Sequence, residues 1–178
     1  MLEIVQKENP VLRKKARPVV LSEITSKRIT DVIKNMSEAL AQEEDGVAIA
    51  APQIGESLRI FVVAGKVLSE NYPDLKENEI VPANLICINP EIVRFSKQKK
   101  KMAEGCLSVR WLYGKVNRST KVTLKAYDEH GKAFTRGASG LLAQIFQHET
   151  DHLDGILFTD SAEELEDSPP ENAEVSKK

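Results

Sequence analysis

Histidine and cysteine are scarce in this sequence, with three of one and two of the other among 178 residues. Two cysteines, Cys87 and Cys106, cannot build a disulfide framework, so a hydrophobic core must carry the fold. No apolar run approaches the roughly 20 residues that a membrane span requires. The opening Met1-Leu2-Glu3-Ile4-Val5-Gln6-Lys7-Glu8 mixes charge with apolar residues. It lacks the apolar centre of a secretory signal and the arginines of a transit peptide, so a cytoplasmic protein is expected. Excess charge of one sign is also missing. A net charge of −2 argues against binding driven by neutralisation of nucleic-acid phosphates. Neither nucleic acid nor membrane is an expected partner.

What remains is an ordinary globular composition, 41% hydrophobic and 29% charged, at a length suited to one well-buried domain. Asn9-Pro10-Val11-Leu12-Arg13 reads as a turn fixed by proline. A helix is expected from a cap near Ser22 or Thr25 to about Glu44, with Ile29, Val32, Ile33, Met36 and Leu40 at helical spacing. Residues 46–55 are small, apolar and almost uncharged. They suit a buried strand or loop, or equally a place where another backbone approaches closely, with Gln53 as the only polar side chain. Residues 59–64 and 84–89 read as strands, the second stopped by Pro90, with a polar surface loop over 69–82 between them. Cys87 lies in an aliphatic strand and suits a buried structural thiol. The lysine-rich run at 97–101 suits a solvated hairpin or sheet edge. Residues 121–127 alternate as a strand and turn through Asp128 to Gly131 into another, which leaves His130 exposed in a turn. Beyond Asp160 the chain is acidic. It reads as a tail over 161–178 with a short, weakly docked helix around Ala162 to Glu166 and disorder in the final ten or so residues.

Two of the three histidines stand close together. Gln147-His148-Glu149-Thr150-Asp151-His152 contains H-E-x-x-H on a helix expected to start near Ser139 and to stop before Gly155. Four residues apart, both imidazoles project from one helix face and can hold a divalent metal, while the carboxylate can take a proton from its water. The plainer reading is a helix with scattered polar residues. Counting faces decides between them. Leu141, Ile145, His148 and His152 form one stripe, with Leu142, Phe146, Glu149 and Leu153 beside it. A core-facing stripe that turns ionisable halfway along needs compensation, which a cation supplies. A catalytic metal wants three protein ligands. Downstream, Glu163, Glu164 and Glu166 sit in an acidic, weakly apolar tail. Upstream, Cys106 is a possible thiolate ligand, although composition alone favours a structural cysteine.

Three ordered stretches resemble the signature segments of the peptide deformylases. Residues 46–55 are similar to a G-x-G-x-A-A-x-Q segment, 104–108 to E-G-C-L-S, and 147–155 to Q-H-E-x-D-H. The resemblance extends to Asn9-Pro10-Val11-Leu12-Arg13, to Arg118, and to Tyr127-Asp128 with Gly131, and so covers most of residues 4–160. It implies a single catalytic domain over 1–160 with an α+β fold, in which antiparallel sheets pack around a central C-terminal metal-binding helix. It implies a metal bound by Cys106, His148 and His152, with Fe(II) favoured in the cell and Zn, Ni or Co possible. The implied reaction removes formate from N-formylmethionine of newly made proteins. Metal-bound hydroxide attacks the formyl carbonyl, Glu149 acts as general base and acid, and Gln53 with the Leu107 backbone N–H stabilises the oxyanion. Substrate-binding positions would be Gly46, Val47, Ala48, Met102, Glu104, Gly105, Leu141, Ile145 and His148. Glu104 with Arg118 resembles a supporting ion pair, and Gln147 and Asp151 would act behind the ligands. The expected partner is a formylmethionyl nascent peptide, with transient ribosome contact also considered.

The sequence departs from the family pattern in three places. Ala48 replaces a glycine, Arg110-Trp111 replaces a Pro-Gly pair, and Gln144 stands where relatives are often apolar. The first and second bear on peptide pairing and the third on the methionine pocket. They leave open a deformylase-like module that binds N-terminal peptides without turnover, and a zinc peptidase with an acidic downstream ligand is the other alternative.

Overall fold

The computed structural model describes residues 3–169. Its first helix, α1, spans Lys27–Ala41, later than the sequence suggested. The Ser26 hydroxyl accepts from the Ile29 N–H and so caps the first turn, while residues 21–23 form a separate 3₁₀ turn. α1 buries Ile29, Val32, Met36, Ala39 and Leu40 on one face. Each of the four larger side chains contributes about 1.5–3 kcal/mol of hydrophobic stabilisation.

That face packs on a five-stranded antiparallel sheet made of β1 (Ala48–Ala50), β2 (Ile60–Val63), β3 (Leu85–Phe95), β6 (Lys121–Tyr127) and β7 (Ala133–Ser139). The spatial order is β1-β2-β3-β6-β7, which leaves β1 with one free edge. Contrary to the sequence reading, Pro90 does not end β3. The register shifts between Ile88 and Glu91, and Asn89 adopts a left-handed φ of 50°. This bulge lifts the proline out of the ladder, so its missing N–H breaks nothing.

A second sheet holds β4 (Lys99–Gly105), β5 (Leu112–Ser119) and β8 (Glu163–Asp167) in the order β4-β5-β8. β4 is therefore an edge strand, and Lys99, Lys100 and Lys101 on it are exposed. β8 corrects the expectation of a tail helix. All five of its residues are exposed, so a helix there would have no face to bury. Its carboxylates instead meet lysines across the sheet, with Glu163 2.6 Å from Lys101 and Glu164 paired with Lys115. The final nine residues, where disorder was expected, lie outside the described residues.

The second helix, α2, spans Gly140–Leu153 and packs against both sheets. Phe146, fully buried, meets Phe61 of β2 with ring centroids 5.9 Å apart. Ala143 and Leu153 complete its contact with the five-stranded sheet. The architecture is α+β, with two antiparallel sheets and a C-terminal helix, as expected. Among the described residues no helix is long and apolar enough to cross a membrane.

Candidate metal centre and cleft

Because α2 lies between the sheets, its ionisable half meets the end of β4. Cys106, just past that strand, brings its Sγ to 3.2 Å from Nε2 of His152. One ligand atom each from Cys106, His148 and His152 lies within 4.8 Å of the others. A tetrahedral ion with ligands at about 2.0–2.3 Å needs donor atoms about 3.5 Å apart, so the three fit a transition metal. Soft thiolate and borderline imidazole nitrogens also suit such an ion better than calcium or magnesium. Among the described residues this is the one Cys/His/Asp/Glu group so arranged. Glu163 and Glu164 are instead held by lysines in the second sheet, and they supply no third ligand.

Behind the ligands stands a buried charge network. Glu104 accepts from Arg118 Nε at 2.7 Å and Nη2 at 3.0 Å, and its second oxygen lies 2.9 Å from Nδ1 of His148. The contact on Nδ1 leaves Nε2 of His148 for a metal and fixes the ring. Arg118 also reaches Asp151 at 2.6 Å. Burial would raise the Glu104 carboxyl, but the His148 and Arg118 contacts outweigh it and pull it down to about 2. Burial works against a charged His148 as well, yet the hydrogen bonds its ring donates to Cys106 and Glu104 hold its pKa well above the ordinary value. His152, buried and facing the His148 charge, is pushed well below it. Gln147 is spent on architecture. Its amide accepts from the Ser119 N–H and donates to the Ser119 and Ala143 carbonyls, locking α2 to β5.

Glu149 is placed differently. It is 4% exposed, and its Oε2 has no hydrogen-bond partner among the described residues. Burial above all pushes its carboxyl up to about 7, against the pull of His148. A cation beside it brings that value back down. An unpaired buried carboxylate is costly, and such groups are kept where a reaction uses them.

Gln53 approaches from the other wall. It sits in a 3₁₀ turn directly after β1, 2% exposed, with its oxygen accepting the Ala50 N–H at 2.8 Å. The fixed amide points Nε2 at Cys106 Sγ, 3.7 Å away, and at the Ser108 hydroxyl, 3.2 Å away. Nearby, the Leu107 carbonyl accepts from Gln6 Nε2, while its N–H has no acceptor among the described residues.

In front of these groups opens a cavity of about 330 Å³. Its flanks are the free-edge strands of the two sheets, Gly46, Val47 and Ala48 at β1 and Ala103, Glu104 and Gly105 on β4. Leu141, Ile145, His148 and Glu149 line it from α2. Met102 is half-buried and is not among the lining residues; its neighbour Ala103 is. Ala48 has no positive φ and pairs with Val63 as ordinary strand, so its methyl is accommodated. Gln144 does line the cavity, but its amide is turned onto the Ala103 carbonyl at 2.7 Å.

Sequence reasoning missed Asp45, Ala103, Val109, Leu112 and Tyr113 as lining residues. Tyr113 lies opposite Gly105 in the β4–β5 ladder, and a Cβ on that glycine would come within 2.6 Å of the Tyr113 ring. No sequence signal pairs the two, because the contact is set by the β4–β5 register. Ser108, fully buried against Gln53, carried no signal of its own.

The chain resembles known proteins along most of its length. A sequence model of the polypeptide deformylase family matches residues 1–168. The peptide deformylase of Halothermothrix orenii is 46% identical over 160 residues, 90% of this chain and 92% of the relative. That of Natranaerobius thermophilus is 42% identical over 159 residues, 89% and 90% of the two chains. Among solved structures, the class I type b peptide deformylase of Acinetobacter baumannii with Met-Ala-Ser bound superposes with a TM-score of 0.78 at 32% identity. It covers 90% of this chain and 98% of that one. The Thermotoga maritima peptide deformylase gives 0.76 at 32% identity, covering 92% and 98%. With a family model spanning nearly its whole length and relatives this similar, the chain belongs to the peptide deformylase family of hydrolases.

Proposed function

We propose that this protein hydrolyses the formyl group from the N-terminal formylmethionine of peptides, releasing formate and a free amine. The observation that carries the reading is a Cys106, His148 and His152 donor set beside an unpaired buried Glu149, at the base of a cleft between two free sheet edges. A divalent ion held by those three residues, which we take to be Fe(II), supplies Lewis acidity and makes a water acidic.

The chain's own groups do the rest. Glu149 accepts the proton of the attacking water and passes it to the departing nitrogen, and with no hydrogen-bond partner on Oε2 among the described residues it is free to do both. The Leu107 N–H, which has no acceptor among the described residues, and Gln53 Nε2, which has a second N–H besides the one directed at Ser108, meet the oxyanion of the tetrahedral intermediate. Because the Gln53 amide is already fixed by Ala50, it does not reorganise during the reaction. The extended peptide adds to the free edge at Val47 and faces Gly105 on the opposite wall, where a side chain would collide with Tyr113. Leu141 and Ile145 give the methionine side chain an apolar wall.

Gln53→Ala is expected to lower kcat by about 10²–10³-fold with a smaller change in KM. Steady-state formate release with metal content measured in parallel checks this, because loss of metal would give the wrong signature. A module that binds without turnover is the second reading, motivated by Arg110 and Trp111 on the cleft rim. Formyl-Met-Ala-Ser and acetyl-Met-Ala-Ser offered to the same sample separate the two. Formate from the first and no cleavage of the second support the deformylase; binding of both without formate supports the module.

A further inference from the structure

Arg110 lies on the loop after β4, yet its partners lie on the opposite wall. One guanidinium nitrogen is 3.0 Å from the Asp45 carboxylate and the other is paired with Glu43, both in the turn that leads into the β1 edge. The Trp111 ring covers the guanidinium, 4.5 Å from its carbon to the ring centroid. The Arg110 N–H also contacts the Gln6 side chain, whose amide holds the Leu107 carbonyl. An isolated surface ion pair would be worth little. This side chain is only 18% exposed and uses its planar fork on two carboxylates and a ring at once, which fixes a single geometry.

The consequence follows from what each wall carries. The turn with Glu43 and Asp45 continues directly into Gly46, Val47 and Ala48, the edge available to an extended peptide. The loop with Arg110 continues from Gly105, Cys106 and Leu107, the opposite face of the same cleft. Neither β1 nor β4 is hydrogen-bonded to the other, so the spacing between them is set by α2, which packs on both sheets, by Gln53 near the ligands, and at the rim by side chains that cross the gap. Arg110 crosses it.

We propose that Arg110 is a positioning residue that clamps the two cleft walls at the spacing an extended peptide needs, with Trp111 as its cover, and thereby sets affinity for the peptide beyond its formylated residue. The inference rests on the deformylase reading. The clamp holds neither a metal ligand nor Glu149, so it governs binding rather than the chemical step. Its influence grows with the length of peptide that pairs with the edge, and salt weakens it.

The test compares wild type, Arg110→Ala, Arg110→Lys and Asp45→Asn on formyl-Met-Ala and formyl-Met-Ala-Ser, alongside amide hydrogen exchange without substrate. Arg110→Ala is expected to raise KM for the tripeptide about 3- to 30-fold, with less effect on the dipeptide and kcat within about twofold. Lysine cannot serve both acids and the ring, so Arg110→Lys restores part of the loss, and Asp45→Asn shifts KM in the same direction. Exchange should quicken at residues 46–48 and 107–111 in Arg110→Ala. Unchanged KM and unchanged exchange overturn the clamp, as does an equal fall in kcat and kcat/KM. Should Arg110→Ala fail to fold, Asp45→Asn and Arg110→Lys decide by the same criteria. If wild type releases no formate, the deformylase reading fails on its own, and exchange at the two segments alone then upholds or overturns the clamp.

Discussion

Glu149→Gln is expected to release formate about 10²–10⁴-fold more slowly than the parent, with one metal per chain retained. The substitution keeps the shape and burial of the side chain, so neither packing nor the neighbouring ligands change. It removes only the capacity to hold and pass a proton. Glu149 has no structural contact on Oε2 that an amide would sacrifice, so the variant should melt at or above the parent's temperature. A carboxylate kept buried and unpaired for chemistry is destabilising, and its neutral isostere is less so. Single-turnover formate release, a thermal melt and metal analysis of one preparation check the three parts together. Parent-like turnover would show that another group moves the proton.

Glu104→Ala should have the largest effect on stability. One buried carboxylate holds the Arg118 guanidinium at two points and the His148 ring at a third. Removing it strands a guanidinium whose side chain is 9% exposed and whose remaining carboxylate partner is Asp151. Breaking such a pair costs about 3–5 kcal/mol, and in a chain of this size that lowers the melting temperature by about 6–20 °C. His148 also loses the partner that orients it, so metal affinity should fall about 10–100-fold. Replacing both partners by apolar residues, Glu104→Met with Arg118→Leu, is the control. It should recover most of the stability and little of the metal affinity. Equal instability of single and double variants would mean that the contact, rather than the stranded charge, carries the cost.

The parts of this site that were legible in the sequence are those with a local signature. His148, Glu149 and His152 share one helix, and a 3.6-residue period places them without any tertiary knowledge. Cys106 was legible only through the resemblance, since nothing local separates a ligand cysteine from a buried one. Partners set by strand register were not legible. Tyr113 under Gly105 depends on the β4–β5 register, and Arg110 reaching back to Glu43 and Asp45 depends on how the two cleft walls face each other. The fold shows the same division. Both helices start after a serine, near where the pattern suggested, with α1 displaced to Ser26, whose hydroxyl reaches a free N–H, while the Ser139 side chain makes no cap bond to α2. β3 outran Pro90 because a bulge removed the proline from the ladder, a tertiary solution invisible to a propensity rule. β8 formed as a strand because lysines of β4 and β5 lie across from its acids, and an acidic run does not announce its partner.

The central claim is that Cys106, His148 and His152 hold a metal that makes a deformylase of this cleft. It is tested most directly on a single anaerobically purified sample, by metal analysis and then by formate release from formyl-Met-Ala-Ser before and after chelation. The expected result is one transition metal per chain, iron if oxygen has been excluded, with formate release that chelation abolishes and Fe(II) restores. Formate release that persists at full rate in a metal-free sample, or a metal-loaded sample that releases none, would contradict it.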